Sequence, residues 1–440
     1  MFKLCTNRRD ALLFAGVLLL GLSLRIGSLA WNNFPHGDVV TDVKAGVSLM
    51  TQGNFTIGPY PKSPETTFLF DIARTDGNEV LTQHPPLLML LGAGIASIFQ
   101  IESTEQGIFL SYRLLTLFFG MGALVIIYRI ARFIAGEKGA LWVALWSACS
   151  YLLMDFSGNG SLYMLQTFAY LLWVDVAFGR HRFSHALLGC MTGIAYMVSF
   201  QSIILFPAGL LIIAFHNDRP IHRRSYDALI FLSVASLVVL PWLLRNYFLF
   251  GDPFFSHYVN QTYVYNKADM PFAVIDGIVH YTMSFVDRLA LLRSITLHWF
   301  PNNLYFIARK LFILAPLAFL FFCYAFIDYL YDHRRLMRAL PIVVVLVLHF
   351  GISAAWPVTK FRYLVPILPF VFIIAAEHIQ AVCRMYRTAV FGLTTLLIVW
   401  LSLLTYKQIP THTYYYNGAI TEDAFSGSEE LDYIRTYIVE

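Results

Sequence analysis

Eleven runs of mostly apolar residues recur along the 440-residue chain, near 11–31, 107–128, 139–156, 162–179, 184–200, 202–216, 227–248, 303–327, 339–356, 363–381 and 388–405. A bilayer core of ~30 Å is crossed by ~20 such residues as a helix, and lipid admits only elements that satisfy their own backbone hydrogen bonds. Repeated this often, the pattern leaves one fold class: an all-α integral membrane protein with about eleven transmembrane helices. Composition agrees, at 58% apolar and 13% charged residues, against about 45–50% and about 25% in soluble domains. Soluble and disordered readings are excluded, and no nucleic-acid partner is expected.

A further apolar run, 85–100, opens with Pro85-Pro86 and is short for a crossing. Basic residues decide its fate, because short cytoplasmic loops carry excess Lys and Arg. With Lys3, Arg8 and Arg9 inside and 85–100 not crossing, the clusters at Arg129–Lys138, Arg180–Arg182, Arg219–Arg224, Arg334–Arg338 and Arg384–Arg387 all fall inside. A crossing would put every later cluster outside. We therefore expect a half-inserted or interfacial helix over 85–100. Two long outer segments remain, about 32–106 and 249–302, both expected to carry short helices. A domain over 1–405 is followed by an outer tail over 406–440. The run at 11–31 lacks a small-residue cleavage site and is kept as the first span. The expected setting is a bacterial inner membrane, with the N-terminus cytoplasmic and the C-terminus periplasmic. No Cys falls in an outer segment, so neither a disulfide framework nor a zinc spacing is present there.

Chemistry is expected in the outer segments, since long ordered loops usually carry function. After Phe34-Pro35-His36-Gly37 comes Asp38, and Val39, Val43, Val47 and Met50 then follow at helical spacing up to Gly53, a C-cap residue. Asp38 thus opens a short helix just outside the first span, either as its N-cap or as a base within reach of a lipid headgroup. Asp42 shares its face one turn on. His84-Pro85-Pro86-Leu87 is a tight start to the half-inserted helix, with His84 at the outer interface and no partner carboxylate in its own motif. His36 and Asp38 alone do not make a metal site. Arg245, in Pro241-Trp242-Leu243-Leu244-Arg245-Asn246, ends a span; it either snorkels or grips a phosphate. Lys360 and Arg362 sit in a very short outer turn, against the inside-positive trend, which favours a role for them.

Taken in order, these motifs run from Asp38 with Gly53 and Phe55, through His84 to Leu87 and Tyr112-Arg113-Leu114. Pro241 to Asn246, followed by Gly251-Asp252-Pro253-Phe254, and then Arg362 to Pro366 complete the series. In that order and spacing the chain resembles the GT-C superfamily of polytopic glycosyltransferases, closest to the branch of protein O-mannosyltransferases and the lipid A aminoarabinose transferase. The resemblance implies a polyprenyl-phosphate-linked sugar donor, a lipid, glycan or protein acceptor, and inverting transfer on the outer face. It makes Asp38 the general base, with Arg245 and Arg362 holding the leaving phosphate and Lys360 and His84 as weaker candidates. Relatives often place a second acid in the outer loop after the third span. Here Gln166 stands about where that acid is expected, and Asp155 lies just before the loop. A two-carboxylate mechanism and a carboxylate-bound metal are thereby in doubt, and no metal or cofactor is expected. Two other readings stay open: a transporter or flippase of lipid-linked sugars, and a non-catalytic assembly subunit. Against the transporter, no internal repeat is evident.

Overall fold

Gly136 and Pro316 each break an apolar run, whereas Pro241, Pro301 and Pro341 lie inside helices. The computed structural model describes residues 8–32, 38–58, 74–75, 78–80, 84–179, 184–215, 220–250, 253–254, 272–275, 278–281, 285–355, 361–383 and 387–412. Its helices are α1 Arg8–Trp31, α2 Asp38–Gln52, α3 Leu87–Ile98, α4 Glu105–Cys149, α5 Tyr151–Asp155, α6 Leu162–Ala177 and α7 Ser184–Val198. They continue with α8 Leu205–Ala214, α9 Ile221–Phe250, α10 Phe285–Leu314, α11 Pro316–Tyr331, α12 His333–Ala355, α13 Leu368–Cys383 and α14 Arg387–His412. Single-turn 3-10 segments lie at Phe200–Ile204 and Phe361–Leu364. Helices α1, α4, α9 and α12 are long and apolar enough to cross a membrane singly, and shorter apolar helices account for most of the other runs. Large apolar side chains such as Leu12, Phe118 and Leu237 point outward, as lipid-facing surface requires.

Helix α4 holds two of the expected spans. Gly136 adopts φ +76° within it, a conformation that glycine takes without steric cost. Leu124 and Ala148 both lie within 4 Å of where a Cβ on Gly21 would stand. In one straight helix those two residues would be about 36 Å apart, so the chain doubles back at Gly136. The expected span 303–327 is instead broken in two, because Pro316 cannot continue the helix and Ala315 before it leaves helical geometry. Asn303 Nδ2 donates to Ala354 O at 3.1 Å, while Arg335 Nη1 reaches Asp328 Oδ2 at 2.6 Å. Both ends therefore match opposite ends of α12, and α10 with α11 makes a single crossing with a break in it.

Close approaches rest on glycine. Gly189 and Gly193, a small-xxx-small pair, set α7 against Phe231 and Ala235 of α9. The order of contacts makes these two helices parallel. Helix α8 runs antiparallel to α9, with Gly209 against the Phe231 ring and Arg224 Nη1 donating to Ala214 O at 2.8 Å. The basic loops gather at one end of the bundle, where Arg129 pairs with Asp175 at 2.7 Å and His185 with Asp227 at 3.4 Å and Arg338 donates to Phe133 O. At the other end lie α2 and α3.

Helix α3, twelve residues long, spans about 18 Å, short of the ~30 Å of a bilayer core. The fold class is all-α, as expected, with short strands added in the outer segments: β1 Thr56–Gly58, β2 Arg74–Thr75 and β3 Asn78–Val80 form a small antiparallel sheet, and β4 Phe272–Ile275 pairs with β5 Ile278–Tyr281. The β-branched and aromatic residues of 272–281 suit a pleated hairpin. Two expectations need correction. The helix in the second long segment is not a separate short one but the first half of α10. Helix α14 runs on to His412, past the expected boundary at 405.

Candidate active site

Tyr112 organises the end of the bundle where α2 and α3 dock. A Cβ on Gly46 of α2 would stand 2.3 Å from its hydroxyl, and one on Gly92 of α3 would stand 2.1 Å from its ring. Only bare backbone lets both helices close on this side chain. Its Oη, fully buried, donates to Asp42 O at 2.8 Å. Asp42 and His84 are themselves buried, 1% and 3% exposed, and their side chains meet at 2.8 Å between Oδ1 and Nδ1. This pair ties the first turn of α2 to the start of α3. Asp38 is the first residue of α2, one turn before Asp42, and Gly53 closes the helix with φ +71°. The backbone that carries Asp38 is therefore anchored by two buried contacts one turn away.

The loop between α5 and α6 packs against the same region. A Cβ on Gly160, whose φ is +76°, would meet Phe109 at 3.1 Å and Tyr112 at 3.3 Å. Arg113 donates to Gly158 O at 3.2 Å and to Leu29 O, fastening α1 to this loop. Asp155 accepts from Asn32 Nδ2 at 3.0 Å. Arg362 lies over Tyr163, its Cζ 5.7 Å from the ring centroid, and the Tyr163 ring in turn lies 6.2 Å from that of Tyr363. Beneath them runs a buried relay. Gln166 Nε2 donates to Tyr170 Oη at 3.2 Å. His349 Nε2 faces Tyr363 O at 2.8 Å, so it carries the proton there, and its Nδ1 faces Tyr170 Oη at 3.4 Å as the acceptor. Gln166 is thus linked, through Tyr170 and His349, to the turn that bears Arg362.

Arg245 stands elsewhere, past the far end of α2. Its guanidinium lies 4.3 Å from the Trp242 ring and donates to Asn246 Oδ1 at 2.9 Å. Trp242 meets Phe55 edge-on at 6.3 Å. The sequence-predicted residues thus fall into two groups. Asp42, His84, Asp155, Gln166 and Arg362 connect through Tyr112 and the 156–163 loop, whereas Arg245 adjoins Phe55. Lys360 and His36 lie outside the described residues. Among the described residues no group of three His, Cys, Asp or Glu is placed to hold a metal ion; Asp42 and His84 meet as a pair.

Several residues here escaped sequence reading. Arg25, 1% exposed, donates to Ser157 Oγ at 3.1 Å and to Ser147 O at 3.4 Å. Its signal was present: an arginine inside an apolar span marks a special site by default. His349 carried the same signal, whereas Arg113 belonged to a motif already singled out in the sequence. Asn159 and Ser161 carried none, because polar residues in a Gly-rich loop read as a turn.

The comparisons with known proteins agree with this architecture. Residues 83–244 match the family described as dolichyl-phosphate-mannose-protein mannosyltransferase. No curated protein sequence matches the chain. Among solved structures, the oligosaccharyltransferase of Archaeoglobus fulgidus in complex with zinc and sulfate is similar at TM-score 0.60 and 15% identity, over 90% of this chain and 53% of that one. The same organism's oligosaccharyltransferase AglB with an inhibitory peptide and a dolichol-phosphate is similar at TM-score 0.59 and 13% identity, over 91% and 56%. ArnT from Cupriavidus metallidurans in the apo state gives TM-score 0.50 and 13% identity, over 98% and 74%. The chain spans little more than half the length of the oligosaccharyltransferases. What it shares with all three is the GT-C membrane fold.

Proposed function

We propose that this GT-C fold is a membrane glycosyltransferase that moves a sugar from a polyprenyl-phosphate-linked donor to a lipid, glycan or protein acceptor at the α2 end of the bundle. That end is taken as the outer, periplasmic face of a bacterial inner membrane, with the N-terminus inside. The family described for residues 83–244 is named for a dolichyl-phosphate sugar, and AglB is similar in a form that holds a dolichol-phosphate. Both support a lipid-phosphate donor.

The observation that carries the reading is the anchoring of α2. A base must hold its position to within a fraction of an ångström to be useful. Asp38 opens a helix clamped by the Asp42–His84 pair and by Tyr112. Because the Asp42 carboxylate is buried and engaged with His84, it is the weaker candidate for base, and Asp38 takes that role. In the reaction, Asp38 removes the proton of an acceptor hydroxyl or amine as that atom bonds to the anomeric carbon from the side opposite the phosphate. The bond from anomeric carbon to phosphate oxygen breaks, its electron pair leaves with the lipid phosphate, and the configuration inverts. General-base catalysis of this kind contributes about 10²–10⁴-fold. Arg362, with Lys360 beside it in sequence, offsets the charge that develops on the leaving group; Arg245, past the far end of α2, takes no part in that step.

The test is a radiolabelled transfer assay on purified protein in bilayers, given a panel of polyprenyl-phosphate sugars and membrane extract as acceptor source. Label should leave one donor with the wild type and not with Asp38→Asn, while Asp38→Asn still binds that donor. Normal turnover by Asp38→Asn would sink the base assignment. Saturable donor binding with no transfer from any donor would turn the reading towards a flippase or an assembly subunit.

A further inference from the structure

The start of α6 presents a chemical demand that no described residue meets. Ser161 is its N-cap, yet the serine side chain makes no capping bond. The first N–H groups of a helix have no partner within it, and here the whole turn is buried, with Ser161, Leu162, Tyr163 and Met164 all under a tenth exposed. Asn159, 1% exposed, accepts the Ser161 N–H through Oδ1 at 3.0 Å. That bond holds its amide at the helix start, and among the described residues the adjoining Nδ2 has no partner; nor has Ser161 Oγ. The Arg362 guanidinium stands over Tyr163, the second residue of the helix. Donors thus converge from a side-chain amide, a hydroxyl, a helix N-terminus and an arginine. The loop's own carboxylate, Asp155, is turned to Asn32, and residues 156–168 contain no Asp or Glu.

A cluster of donors with an arginine at its edge and no acid in its loop suits a ligand with several acceptor oxygens and negative charge. Helix N-termini meet that description for phosphate, through both their free N–H groups and their dipole. We infer that Asn159 Nδ2, Ser161 Oγ and the N-terminal N–H groups of α6, with Arg362 at the edge, bind the phosphate group of a polyprenyl-phosphate lipid. This rests on the glycosyltransferase reading and names the seat of its donor phosphate.

The discriminating variant is Asn159→Asp in the full-length protein, in phosphatidylcholine nanodiscs. The carboxylate keeps the acceptor for Ser161 N–H and suits a helix N-terminus, so the fold should hold, with thermal stability equal or higher. Affinity for polyprenyl phosphate, measured by displacement of a fluorescent analogue, should fall at least tenfold. Ser161→Ala, which removes a hydroxyl with no partner among the described residues, should keep the fold and weaken binding several-fold. Millimolar inorganic phosphate should compete, which would support the shared phosphate chemistry. Affinities within twofold of wild type in both variants would overturn the inference. So would equal competition by phosphatidylglycerol, which would assign the site to any anionic headgroup. A wild type that transfers sugar while Asn159→Asp binds normally refutes this site alone; one that neither binds polyprenyl phosphate nor transfers sugar refutes the functional reading as well.

Discussion

Replacing His84 with alanine should release α2 from the bundle without unfolding the rest. The Asp42 carboxylate, 1% exposed, meets the His84 imidazole at 2.8 Å, and removing one partner of a buried pair costs about 3–5 kcal/mol, because a charge is left behind in low dielectric. At about 1.4 kcal/mol per factor of ten, the lower bound raises the population of undocked α2 by roughly a hundredfold. Val43, fully buried on α2, is the reporter: as Val43→Cys it reacts with an impermeant maleimide only when α2 opens, so the labelling rate follows that population. Cys149, buried at the end of α4, is kept as internal control while the other native cysteines are replaced. His84→Ala should speed labelling of Val43→Cys by about two orders of magnitude and leave Cys149 protected. Adding Asp42→Asn should slow it again, since the stranded charge is gone. Labelling within threefold of the parent, or a double variant faster than His84→Ala alone, would refute the claim that this pair anchors the helix.

Three further outcomes follow from particular contacts. Gly92→Ala places a methyl 2.1 Å from the Tyr112 ring and should displace α3, raising protease sensitivity at the α2 end; adding Tyr112→Leu should restore part of the protection. Gly160→Ala sets a side chain at φ +76° and against Phe109, and should lower stability by about 1–2 kcal/mol, read as a fall in melting temperature. Glu105, at the start of α4, has a carboxyl raised above its ordinary range by burial, against a smaller lowering by Lys44, and its Oε2 is buried without a partner. The folded state therefore holds this proton more tightly than the unfolded state, and stability declines as pH rises upward from about 4.5. Glu105→Gln should thus be the more stable protein at pH 7, with the difference closing by pH 4; a difference that persists at pH 4 would contradict the assignment.

The sequence alone determined that apolar crossings recur along the chain and which basic loops share an end. Those properties follow from transfer free energies and charge placement, which act residue by residue and need no knowledge of neighbours. Helix α2 was legible too, from the spacing of Val39, Val43 and Val47 and the glycine that ends it. Breaks were less so: Pro316 splits an apolar run that hydropathy reads as continuous, because the lipid does not distinguish one helix from two collinear pieces. Tertiary structure alone decided the partners. His84 finds its carboxylate on Asp42, 42 positions away, and Gln166 and His349 meet through Tyr170 from helices far apart in the chain. It was also decisive for Asn159 and Ser161, two ordinary turn residues until their burial leaves donors that no described residue accepts. Contacts of this kind depend on which faces of which helices meet, and hydropathy along a single chain carries no record of that choice.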